Sequence, residues 1–258
     1  MKNKPDTTAN TTSNKKTRQP IRNQRQNFFM KKNLLEIEKQ FSQHYRKLLE
    51  QQELVIADLK KYDFDLESTE MTNAIAERMD AFWHFAWHNN KVLLGREVTS
   101  EASDFFTETC LLFLKCYFES IGSNYKVLSE HSLIRSRKSI KPDISIWKEG
   151  ELLSAIELKV SDGWKGKWIV PHLAERENQI KQLHPKVFFG VLSFWKFSHK
   201  TDVSEIWGKQ YFALKIWQKN NMHESTGLGI EDLLKNFWAC HPDEAKQFNI
   251  LGNAHKEK

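Results

Sequence analysis

Apolar positions recur at helical spacing twice in the first third of the chain. Between residues 33 and 62, Leu34, Leu35, Ile37, Phe41, Tyr45, Leu48, Leu49, Leu54, Val55, Ile56 and Leu59 predict a long amphipathic helix, and a second runs from about Glu70 to Asn89. A third helical stretch opens at Ser100, a candidate N-cap, and continues to about Ser120. Its apolar residues Phe105, Leu111, Leu112, Leu114, Phe118 and Ile121 cover more than one stripe, as a well-buried helix requires, and Gly122 ends it. The period then changes from helical to alternating. A β-prone run at 125–128 precedes two alternating segments, roughly 141–147 and 152–160, joined at the turn pair Glu149–Gly150. Pro171 sits in the first turn of the next helix, which His184–Pro185 stops. The run VFFGVLSFW at 187–195 is apolar throughout, the mark of a strand buried on both faces. Residues 205–219 predict one or two further strands, and 229–241 a capped amphipathic helix.

The two alternating segments hold the chemistry. Folding them back about Glu149–Gly150 brings Asp143 almost opposite Glu157. Strand alternation sends Ile144, Ile146, Ile156, Leu158 and Val160 to a core face, and Asp143, Glu157 and Lys159 to the other face together. Two carboxylates at that spacing repel unless a cation lies between them, and oxygen ligands suit Mg²⁺. A neighbouring lysine can orient or deprotonate water at such an ion, or hold a phosphate. Asp58–Leu59–Lys60 and Glu244–Ala245–Lys246 share the acid-x-lysine pattern, and Pro5–Asp6 and Pro242–Asp243 the Pro-Asp pattern, but none has the complementary half at hairpin distance. An amphipathic hairpin with a surface salt bridge is the plain alternative for 143–159.

Pro142–Asp143 with Glu157–Leu158–Lys159, in the order helix, three strands, helix, strand over about 100–195, resembles the PD-(D/E)xK nuclease superfamily. The resemblance implies an α/β fold with a restriction-endonuclease-like αβββαβ core, a central mixed sheet flanked by helices, here with an N-terminal helical extension. It implies a Mg²⁺-dependent endodeoxyribonuclease, Mn²⁺ being a possible substitute. The metal ligands would be Asp143, Glu157, the carbonyl of Leu158 and a helix glutamate, with Lys159 acting on the water. Glu108 is the helix acid chosen, because it lies on a buried segment; Glu101 is the runner-up, and Glu119 reads as solvent-facing. In the helix after the lysine, Gln179 is placed to point back to the site, with Lys181 and Gln182 as rivals. The stretch Gly163–Trp164–Lys165–Gly166–Lys167–Trp168 looks like the Gly-aromatic-basic segment of some restriction-type members. It can grip a phosphate backbone and stack on bases, or it can pack its tryptophans over the sheet edge. Type II restriction-like enzymes of bacteria or their phages are nearest in look, which implies double-stranded DNA as partner and a homodimer. Repair and mobile-element nucleases share the same core.

Composition narrows the classes. A chain of 258 residues with 40% apolar content can bury a sizeable core. No stretch approaches the roughly 20 apolar residues of a membrane span, and the start lacks a signal-peptide core, so the expectation is a cytoplasmic protein with no membrane partner. Cys110, Cys116 and Cys240 lack metal spacing and read as reduced and buried. Residues 1–32 carry nine Lys/Arg and one Asp, so the net +6 of the chain becomes about −2 for residues 33–258. That tail reads as a disordered basic arm suited to nucleic-acid phosphates, or as a solubilising extension. The domain reading is therefore 1–32 tail, 33–95 helical extension and 96–258 nuclease-like domain. His84 and His88 have the spacing of a helical zinc pair, but Phe85 stands where the protease motif needs Glu, and the surrounding aromatics favour packing.

Two other functions fit parts of the chain. A non-cleaving DNA-binding module would keep the fold; such relatives lose an acid or the lysine, and here all three are present. An adaptor would rest on the 33–90 helices alone.

Overall fold

A computed structural model describes residues 33–96, 102–134, 139–163, 166–218 and 221–250. The basic tail, Ser100, Glu101, Trp164 and Lys165 lie outside the described residues. The chain divides into two units, Met1–Leu49 and Glu50–Lys258. Helix α1 (Leu34–Leu59) supplies what is described of the first unit after Asn33, and its apolar residues Leu34, Phe41, Tyr45 and Leu48 are exposed.

The second unit is built on one mixed sheet of six strands in the order β1-β2-β3-β4-β5-β6. These are β1 (Lys126–Ser129), β2 (Ile144–Lys148), β3 (Glu151–Lys159), β4 (Phe188–Trp195), β5 (Tyr211–Gln218) and β6 (Asn221–Thr226). The β3/β4 and β4/β5 pairs are parallel and the other three antiparallel. The helices are α2 (Glu70–Trp87), α3 (Ser103–Ser120), α4 (Ile169–Leu183), α5 (Ile230–Cys240) and α6 (Pro242–Gln247). The sequence order α3-β1-β2-β3-α4-β4 is the αβββαβ order expected, and the architecture is an α/β core flanked by helices with helices added N-terminally.

Alternation along the strands makes two apolar layers. Ile144, Ile146, Ile156, Leu158, Leu192, Phe194, Phe212 and Leu214 face α2, α3 and α5. Ala155, Phe189, Val191, Tyr211 and Ala213 face α4 through Ile169, Leu173 and Ile180. The β4 run is thus buried on both faces, as its unbroken apolar pattern requires. Helix α2 belongs to the first layer through Met71, Ile75 and Met79. Its N-terminus is locked to α5 by a buried carboxylate: Glu231 accepts the backbone N–H of Thr72 at 2.9 Å and its hydroxyl. That same Thr72 hydroxyl oxygen accepts the N–H of Ile230 at 3.0 Å. Gly229 is needed beside it, because any Cβ there would collide with Thr72.

Two expectations are refined. Phe82 stacks on Phe105 and Trp83 packs edge-on against Phe194, but Phe85, Trp87, His84 and His88 are exposed. The inner face of α2 runs through Ile75, Met79, Phe82, Trp83 and Ala86, and Phe85, Trp87, His84 and His88 lie on its outer side. Cys110 and Cys116 are buried and free, whereas Cys240, at the end of α5, is exposed, so burial does not hold for the third cysteine. Among the described residues no helix is long and apolar enough to cross a membrane.

Candidate active site

The β2–β3 hairpin positions the site. Glu149 and Gly150 both have positive φ, 49° and 91°, as a two-residue turn of the mirror-image type demands. That turn sets Lys148 against Glu151 and Trp147 against Leu152. Unbroken, the register would put Asp143 across from Ile156. A bulge intervenes: the pairing shifts at Ile146/Trp147, so that Ile146 pairs with Ser154 and Ile144 with Ile156. Continuing one residue, Asp143 faces Glu157. The bulge also reverses the face alternation of β3, since Leu153 shares a layer with Ile156 and Leu158.

Asp143 is fixed from both sides. Its carbonyl accepts the N–H of Glu130 at 3.2 Å and the hydroxyl of Ser129 at 3.0 Å. Its Oδ2 accepts the N–H of Leu158 at 2.6 Å. Lys159 Nζ then lies 3.2 Å from Asp143 Oδ2, 3.2 Å from Glu157 Oε2 and 2.8 Å from the carbonyl oxygen of Leu158. Three oxygens from three groups surround one cationic nitrogen.

Glu157 is only 7% exposed, so its charge needs compensation on every side. The second cation comes from α4. Arg176 Nε donates to Glu157 Oε1 at 3.0 Å, and Arg176 Nη2 to the carbonyl oxygen of Lys141 at 2.5 Å. A residue before proline is biased to extended backbone, and here the Lys141 carbonyl before Pro142 is the acceptor that Arg176 reaches. Two carboxylates and two cations make the cluster neutral.

Arg176 is the residue that sequence reasoning missed. Gln179, expected to reach back, is exposed and bonds to Glu175 at 2.7 Å; Lys181 pairs with Glu177, and Gln182 is exposed. The available signal was spacing. Leu173, Arg176 and Ile180 fall at i, i+3 and i+7, so Arg176 lies on the buried stripe of α4. Burying Ile169, Leu173 and Ile180 contributes about 1.5–3 kcal/mol each, and this fixes the rotation of the helix.

Comparison with known protein families, curated proteins and solved structures finds no match. The geometry therefore carries the argument alone.

The other named residues are placed as follows. Glu108 is exposed on α3, whose buried residues pack on the opposite face of the sheet from Asp143, Glu157 and Lys159. Glu119 pairs with Lys60 at 3.1 Å near the far end of α3. A short 3-10 turn, Gly166–Trp168, leads into α4; Trp168 is 66% exposed, with Lys167 Nζ 5.5 Å from its ring centre. That indole is not packed over the sheet edge. Among the described residues no three His, Cys, Asp or Glu side chains converge as a metal site. The set formed by Asp143, Glu157 and the Leu158 carbonyl has two carboxylates and relies on backbone for its third oxygen. Its donors are all hard oxygens, and an ammonium already sits among them, so the residues fit a cation such as Mg²⁺ or Mn²⁺.

Proposed function

We propose that this chain is a Mg²⁺-dependent endonuclease that hydrolyses phosphodiester bonds in DNA. The observation that carries the reading is the convergence of Asp143 Oδ2, Glu157 Oε2 and the Leu158 carbonyl oxygen on one cationic atom, Lys159 Nζ.

In this reading Asp143, Glu157 and the Leu158 carbonyl hold the ion. Glu108, the helix acid expected from the sequence, is exposed on α3 across the sheet from this cluster and is left out of the ligand set. When bound, Mg²⁺ would supply Lewis acidity toward the phosphate and acidify water. Arg176 occupies Glu157 Oε1 and so leaves Oε2 aimed inward. Lys159 would donate to a phosphate oxygen or to the attacking water. Water adds in line to phosphorus, the bond to the 3′ oxygen breaks, and a 5′-phosphate and a 3′-hydroxyl result. Asp143 and Lys159 are a quarter to a third exposed, at 31% and 25% of their side chains, so a polymer backbone can reach them. Exposed Lys167 and Trp168 follow β3 and are suited to a phosphate chain. Duplex DNA as substrate, a homodimer cutting both strands and a restriction role complete the proposal.

Supercoiled plasmid incubated with Mg²⁺, beside an EDTA control, tests it. The proposal expects nicking or linearisation with Mg²⁺ only. DNA binding with no cleavage of plasmid, single-stranded or branched DNA would make the chain a binding module instead.

A further inference from the structure

A cavity of about 830 Å³ opens where β3, β4 and β5 run out at the same end of the sheet. Trp195, Phe197 and Ile216 give it apolar walls; Ser161, Asp162 and Ser198 give it a polar rim, with Lys196 beside them. It neighbours the reactive cluster. Asp162 follows Lys159 by three residues, which places the two backbones at most about 11 Å apart.

The walls are held by specific bonds. Trp195 donates its N–H to the Val160 carbonyl at 2.9 Å, carrying the β3–β4 pairing past Lys159, and Lys196 donates to the Lys215 carbonyl at 2.8 Å. The N–H of Phe197 is held by the Tyr211 hydroxyl at 2.7 Å. Asp162 Oδ2 accepts the Ser198 N–H at 3.1 Å, the Ser198 hydroxyl at 2.6 Å and the Thr201 hydroxyl at 3.0 Å. The Asp162 charge is thereby spent on fixing the 198–201 turn. Lys215 Nζ lies 5.7 Å from the Trp195 ring centre and is ion-paired with Asp80 at 2.6 Å, which holds the lysine against the indole.

We propose that this cavity receives an unpaired base of the nucleic-acid strand whose phosphate lies at Lys159. The position of the strand rests on the nuclease reading; the chemistry of the cavity does not. Paired bases in a duplex are stacked and show only their edges, whereas an unstacked base can enter and lie against an aromatic ring. Such stacking tolerates any base, and the cavity offers space rather than a matched set of donors. Lys196, on the cavity lining, suits an adjoining phosphate. The preferred substrate is then duplex DNA that carries unpaired nucleotides beside the cut, a flap, a fork or a bubble, which sets the repair-type role in place of the restriction one.

The test measures equilibrium binding by fluorescence anisotropy in EDTA, so that no cleavage intervenes. The probes are a labelled thymidine oligonucleotide of about 12 residues, its duplex with the complementary strand, and the same single strand with abasic positions. The full chain should bind the single strand at least about tenfold more tightly than the duplex. Trp195→Leu, which keeps apolar bulk, should weaken single-strand binding by roughly 5- to 100-fold and leave the duplex unchanged. If that variant fails to fold, the abasic strand decides: lost bases must cost the wild type at least about fivefold. Equal affinity for duplex and single strand, or indifference to both changes, overturns the proposal. That outcome with plasmid cleavage intact removes the cavity's role and leaves the nuclease reading. Base-dependent binding without any cleavage does the reverse.

Discussion

Asp143 accepts the backbone N–H of Leu158 at 2.6 Å, which joins the acid at the start of β2 to the strand that carries Glu157 and Lys159. One hydrogen bond thus sets the spacing of both carboxylates and of the carbonyl between them. The bulge in β3 makes that bond reachable, by moving Asp143 from opposite Ile156 to opposite Glu157. Each element of the site is held by something outside it: Asp143 by β1, Glu157 by Arg176, and Arg176 by the apolar stripe of α4.

The Lys159 ammonium shares its three oxygen partners with the proposed ion, so the two compete for them. Replacing Lys159 with Met leaves the oxygens without their cation. We expect Mn²⁺ affinity, measured by calorimetry, to be unchanged or higher, while cleavage falls by about 10²–10⁴-fold. Weaker Mn²⁺ binding in a folded Lys159→Met protein would show that the lysine builds the ion site.

Arg176 acts through Glu157 and is a positioning residue. Arg176→Ala should cost about 10- to 100-fold in metal affinity or cleavage, as loss of an outer partner typically does. Arg176→Lys should recover part of this, since charge returns but the fork that spans Glu157 and the Lys141 carbonyl does not. Glu108→Ala, at an exposed position on α3, is expected to cost less than Arg176→Ala. An equal or larger loss in titrations of cleavage rate against Mg²⁺ would bring α3 into the site.

The hairpin was legible because Glu149–Gly150 marks the turn and the alternation of each strand, taken separately, marks its core face, although the register of the turn alone would set Asp143 opposite Ile156. Asp143, Glu157 and Lys159 could therefore be grouped on one side from letters alone. The bulge was not legible, because nothing in Leu152, Leu153 and Ser154 marks which residue goes unpaired. The order of helices and strands followed from changes of hydrophobic period, including the doubly buried β4. Arg176 differs from the expected Gln179 by one turn of α4, although Leu173 and Ile180 already define the inner face on which Arg176 lies. The cavity beside Trp195 depends on where three strands end together, and strand pairing across that distance has no local signal.

Stability has a buried anchor away from the site. Thr72→Val removes the hydroxyl donor to Glu231 and the acceptor for the Ile230 N–H. Glu231 is 2% exposed, so its charge loses a partner it cannot replace with water. The expected cost is about 1–3 kcal/mol, read as a lower urea midpoint with unchanged slope. A midpoint within error of wild type would mean that the carboxylate is compensated elsewhere.

Acid should loosen the α6 edge. Lys148 foremost, and then Tyr125, hold the Glu244 carboxyl below its ordinary range by hydrogen bonding to it. A carboxylate depressed in the fold adds stability above its unfolded pKa of about 4.3, and that stability drains away as pH falls through the folded value. Glu244→Gln should lower the melting temperature at neutral pH, by the equivalent of about 1 kcal/mol. The difference from wild type should close as pH drops below about 4. A difference constant with pH would assign the effect to packing.

The most direct test replaces one atom type at the centre of the cradle. Asp143→Asn keeps the shape and an oxygen able to accept the Leu158 N–H, but removes the charge that faces the proposed ion. With supercoiled plasmid and saturating Mg²⁺, wild type should cut, and a folded Asp143→Asn protein should cut at least about 100-fold more slowly. Cleavage by the variant at the wild-type rate would contradict the assignment of Asp143, Glu157 and Lys159 as the reactive centre.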